Sequence, residues 1–115
     1  MESVAGRARA EGALPRESEV ARALRSVLLS SAFAASRRSR EFLSYVVTEE
    51  LAGRGHLLSE RTVGRRAMGR DASFDGRHDA SVRVRATRVR AALATYYSGA
   101  GVLDPVRIEL PRGRY

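Results

Sequence analysis

Residues 79–97 read DASVRVRATRVRAALATYY, and this stretch decides how the rest of the chain is understood. Val82, Ala86, Val89, Leu93 and Tyr96 recur in it at spacings of four, three, four and three. On a helical wheel of about 100° per residue the five fall within about 40° of Val82, which makes one apolar stripe. Asp79 predicts the N-cap of this helix, and Gly99 and Gly101 close it. The opposite face centres on Val84, Thr87, Ala91 and Ala94, with Arg88 beside them. Arg83 and Arg90 share one flank, at about 80 to 100° on the same wheel, and Arg85 lies on the other.

Working outward toward the end of the chain, Asp104-Pro105 predicts a turn, and VRIEL at 106–110 alternates apolar and polar residues as a strand does. Residues 111–114 then turn around Gly113, and Tyr115 begins a returning strand. Toward the beginning, the polar stretch 70–78 is a turn-rich connection with Phe74 as its anchor in the core. Ser59 caps a short helix that carries Val63 and Ala67 and ends at Gly69, and the pair Leu57-Leu58 before it forms a small strand. Ser36 caps a longer helix with a stripe of Phe42, Leu43, Val46, Val47 and Leu51, stopped by Gly53 and Gly55.

The first helix starts at Pro15, with Glu17 and Glu19 at the positive end of its dipole. It runs for about four turns, with Val20, Leu24, Val27, Leu28 and Ser31 on one face. Residues 1–14 lack apolar periodicity and are expected to be a flexible leader, so that 15–115 form one domain. The fold class is mainly α with a small β-hairpin. Its last five elements, in the order strand, helix, helix, strand and returning strand, are the layout of a winged helix-turn-helix with an extra N-terminal helix.

Composition narrows the function. The 115 residues suffice for one modest core. All 21 basic residues are arginine, the net charge is +8, and residues 77–115 alone carry +5. A polyanion is the natural partner of such a surface, and arginine's planar fork suits phosphates and guanine edges. The absence of cysteine excludes disulfides and thiolate metal sites. His56 and His78 stand apart from one another and imply turn or capping roles rather than a metal site. No nucleophile motif and no phosphate-cradling glycine loop occurs, so neither an enzyme nor a bound cofactor is expected. No run has signal-peptide or membrane-spanning character, which makes the expectation a cytoplasmic, nucleoid-associated protein without a membrane partner.

The C-terminal third resembles the effector domain of OmpR/PhoB-type response regulators. The resemblance rests on Val82, Val84, Arg88-Val89-Arg90 and Leu93 in the helix, then Ile108, Leu110 and Arg112-Gly113-Arg114-Tyr115 in the wing. Over residues 27–115 the chain is similar to an N-terminal winged-helix module of large bacterial proteins with adenylate-cyclase-like or tetratricopeptide regions. Here the matching residues include Phe33, Arg40-Glu41-Phe42-Leu43, Leu51-Ala52-Gly53, Gly69-Arg70-Asp71, Phe74-Asp75, Asp79, Val82-Arg83-Val84, Tyr96-Tyr97 and Arg107-Ile108-Glu109-Leu110-Pro111. The likeness implies duplex-DNA binding and transcriptional regulation. It departs from the response regulators in having no phosphoacceptor domain ahead of the module, so control by phosphorylation is not implied.

On this reading Val84, Thr87, Arg88 and Ala91 face the bases of the major groove, where Arg88 can bond a guanine edge and Thr87 a base or thymine methyl. Arg77, Arg83, Arg85 and Arg90 grip phosphates, and Arg112 and Arg114 at the wing tip reach the minor groove or backbone. The plainer alternative makes these arginines a solvated face or partners of Asp75, Asp79 and Glu50, and the wing an ordinary turn. Tyr96 and Tyr97 are read as core and rim rather than as a stacking platform. A second functional class remains open: a protein-interaction module using the first helix, the open wing edge and the leader, with a homodimer through Val20, Leu24 and Val27. A nonspecific architectural DNA binder is the third reading.

Overall fold

The computed structural model describes residues 7–10, 16–68 and 80–111. Among these the elements run β1 (Arg7–Ala10), α1 (Glu17–Leu28), α2 (Ser31–Ala34), α3 (Arg37–Leu51), a 3₁₀ turn (Gly55–Leu57), α4 (Glu60–Ala67), α5 (Ser81–Tyr97) and β2 (Val106–Glu109). The fold is mainly helical, with β1 and β2 paired antiparallel so that Ala10 faces Val106 and Arg7 faces Glu109. Among the described residues no helix is long and apolar enough to cross a membrane.

Each helix boundary has a local chemical cause. The Arg16 N–H donates to the Glu19 carboxylate at 2.7 Å at the start of α1. Ser36 Oγ accepts from the Ser39 N–H at the start of α3. Ser59 and Thr62 satisfy each other's N–H groups at the start of α4. Gly53, at φ +80°, ends α3 in a left-handed step, with Arg54 N–H on the Glu49 carbonyl and Gly53 N–H on that of Glu50. After α5, Gly101 packs so closely on the Tyr96 ring that a side chain at this position would collide with it.

One core joins all of this. α1 contributes Val20, Leu24 and Val27, α3 contributes Phe42, Leu43, Val46 and Val47, and Phe33 from α2 is fully buried. Val63 of α4 lies beneath the full α5 stripe of Val82, Ala86, Val89, Leu93 and Tyr96, while Val106, Ile108 and Leu110 close the core from the sheet side. At about 1.5–3 kcal/mol for each large apolar side chain, this stripe accounts for why α5 is fixed in its rotation.

Three expectations are corrected. The leader contains β1: four of its residues pair with β2, whose apolar side chains are anchored in the core and whose edge supplies hydrogen-bonding groups that a polar segment can use. The first helix does not run through to Ser31. Ser30 takes the Val27 carbonyl with both its N–H and its hydroxyl, at 3.1 and 2.6 Å, and α2 starts anew beyond it. The stretch around Leu57 is a 3₁₀ turn rather than a strand, because Leu57 and Leu58 N–H bond locally to Arg54 and Gly55. β2 pairs with β1, and the returning strand expected at Tyr115 lies outside the described residues. The Phe74 anchor, the caps at Gly69 and Asp79, His78 and the wing residues from Arg112 to Tyr115 lie outside the described residues.

Candidate nucleic-acid interface

α5 separates its side chains cleanly. One side is the buried stripe; on the far side Val84, Thr87, Arg88 and Ala91 are all exposed, with Val84 47% accessible. Thr87 Oγ1 donates to the Arg83 carbonyl at 3.1 Å, and Arg83 itself is exposed. Four of the residues expected to contact bases, and one expected to contact phosphate, thus share one accessible surface. Arg77, Arg112 and Arg114 lie outside the described residues.

The other two arginines are committed inside the protein. Arg85 NH1 donates to the hydroxyls of Ser36 and Ser39, at 3.2 and 3.0 Å, and so ties the middle of α5 to the start of α3. Its Nε is buried without a hydrogen-bond partner. Burial, and then the like charges of Arg88 and Arg38, lower the Arg85 pKa, although a guanidinium stays protonated in a protein. Arg90 Nε donates to the Leu110 carbonyl at 2.8 Å and its NH2 to that of Pro111 at 3.0 Å. Both residues had been assigned to phosphates. The wheel gave their flank correctly but could not show which neighbour occupied it.

The tyrosines behave as core and rim. Tyr96 donates to the Asp104 carboxylate at 2.5 Å and is pushed up to about 12 by burial and by that carboxylate. The Tyr97 hydroxyl accepts the Ile108 N–H at 2.7 Å, and Arg107 lies over its ring at 4.4 Å. Two surfaces needed by the interaction-module reading are therefore used internally. Val20, Leu24 and Val27 face the chain's own core. The edge of β2 is taken by β1 on one side, and on the other Tyr97 and Arg90 hold Ile108 N–H and Leu110 C=O.

Sequence reasoning missed Arg38, which is exposed in the first turn of α3 beside the Ser36 and Ser39 pair that holds Arg85. The available signal was the run Arg37-Arg38-Ser39-Arg40, basic at a helix end where the dipole favours acids. No family model, no curated protein and no solved structure matches this chain.

Proposed function

We propose that this chain binds double-stranded DNA as a winged helix-turn-helix domain and serves in transcriptional regulation. In this reading α4 is the supporting helix and α5 enters the major groove. The observation that carries it is the exposed line Val84, Thr87, Arg88 and Ala91 on a helix whose other side is locked into the core. Small residues let a helix sit deep in a groove, and an arginine among them can bond the O6 and N7 of guanine. The net charge of +8 supplies the attraction that precedes recognition.

The reading is tested by selection from random duplexes, followed by titration at several salt concentrations. If about six phosphates are contacted, log K falls by about five per decade of salt. Arg88→Ala is expected to relax preference at one base position by about 1–3 kcal/mol. Absence of binding to any duplex at low salt overturns the proposal. Binding without sequence preference, unchanged by Arg88→Ala, would leave a nonspecific architectural binder.

A further inference from the structure

Three arginines stand within the first four residues of α3, and no acid stands in its first turn to match the unpaired N–H groups and positive dipole end there. Two of the three have partners. Arg37 pairs with Glu41 at 3.1 Å, and Arg40 donates to the Phe33 and Ala34 carbonyls at the end of α2, both at 2.8 Å. Arg38 is exposed and has no partner among the described residues. Across from it, the guanidinium of Arg85 is held by Ser36 and Ser39, the residues that bracket Arg37 and Arg38. Arg88 follows one turn later on the same flank of α5, also exposed and also unpartnered among the described residues. Three guanidinium groups thus gather on two elements with no described carboxylate among them. Folding places like charges together here, and an anion bound between them would relieve the repulsion.

We propose that Arg38, set beside the tethered Arg85, seats a backbone phosphate of the duplex at the border of the groove that Arg88 enters, so that the interface extends from α5 onto the beginning of α3. The inference rests on the DNA-binding reading and adds a second element to it. A phosphodiester presents two acceptor oxygens, which a guanidinium fork meets in charge-assisted hydrogen bonds. It also lies where the N–H groups of the first turn of α3 point.

The test compares full-length Arg38→Ala, Arg37→Ala and Arg38→Lys by anisotropy of a labelled duplex over a salt series. Arg38→Ala is expected to lower the slope of log K against log salt by about 0.9, a deficit in affinity that widens about eightfold for each tenfold dilution of salt. Arg38→Lys is expected to recover the slope. Arg37→Ala removes the same charge one residue away, from a side chain already paired with Glu41, and is expected to leave the slope near that of the unaltered protein. An unchanged slope in Arg38→Ala, while the unaltered protein still binds, overturns the phosphate seat and leaves the DNA-binding reading intact. Equal losses in Arg37→Ala and Arg38→Ala overturn it as well, since net charge alone then accounts for both. If the unaltered protein binds no duplex, both readings fall.

Discussion

The two flanks of α5 each carry two arginines, and on each flank one of them is tied to a neighbouring part of the fold. Toward α3, Arg85 is tied down and Arg88 is exposed; toward β2, Arg90 is tied down and Arg83 is exposed. The tethers differ in kind. Arg90 grips two backbone carbonyls, one of them on the buried residue Leu110, and these carbonyls lose their partner if it is removed. Arg85 grips two hydroxyls that already bond each other at 3.1 Å, and it stands among like charges. What an arginine in a helix flank holds, as Arg85 and Arg90 show, is set by the acceptor that lies opposite and not by its angle on the wheel.

The largest effect expected from this contrast is on stability. Arg90→Ala should cost about 2–3 kcal/mol in urea unfolding, because hydrogen bonds from a charged donor are lost and an acceptor of β2's continuation is stranded. Arg85→Ala should cost about 1 kcal/mol or less, since Ser36 and Ser39 can satisfy each other and the repulsion with Arg38 and Arg88 is relieved. Equal losses in the two variants would break the contrast, and a larger loss at Arg85 would reverse it. The smallest effect lies at the end of the same helix and appears only in alkali. The Tyr96 phenol titrates near 10 when unfolded and is raised to about 12 in the fold, so the folded state holds its proton longer. Its contribution is complete below pH 10 and is lost as pH rises toward about 12. Tyr96→Phe should accordingly flatten the fall in melting temperature above pH 10, and an unaltered fall would show that other groups cause it.

What could be read from the sequence follows the same division. The exposed line on α5 was legible because a buried stripe at helical spacing fixes its own opposite. Ser36, Ser59 and Gly53 were legible because caps act within three or four residues. β1 was not: Arg-Ala-Arg-Ala carries no β-branched residue, and its strand state comes from β2, far along the chain. The break at Ser30 was hidden because the serine's competition for the Val27 carbonyl leaves the apolar spacing of α1 untouched. The internal partners of Arg85 and Arg90 were hidden for a related reason, since their acceptors on α3 and after β2 are distant in sequence.

The pairing of β1 with β2 also bears on how the molecule comes apart. Ala10 meets Val106 only after the long intervening segment has closed on itself. β2 has independent anchors in Val106, Ile108 and the Tyr97 hydroxyl, so its amides belong to the cooperative unit of the helices. β1, whose main contacts are with β2, is expected to open as a separate and shallower one. In hydrogen exchange the Ile108 amide should therefore persist with those of α3 and α5, while the amides of Arg7–Ala10 exchange through a local opening that leaves the helical body intact.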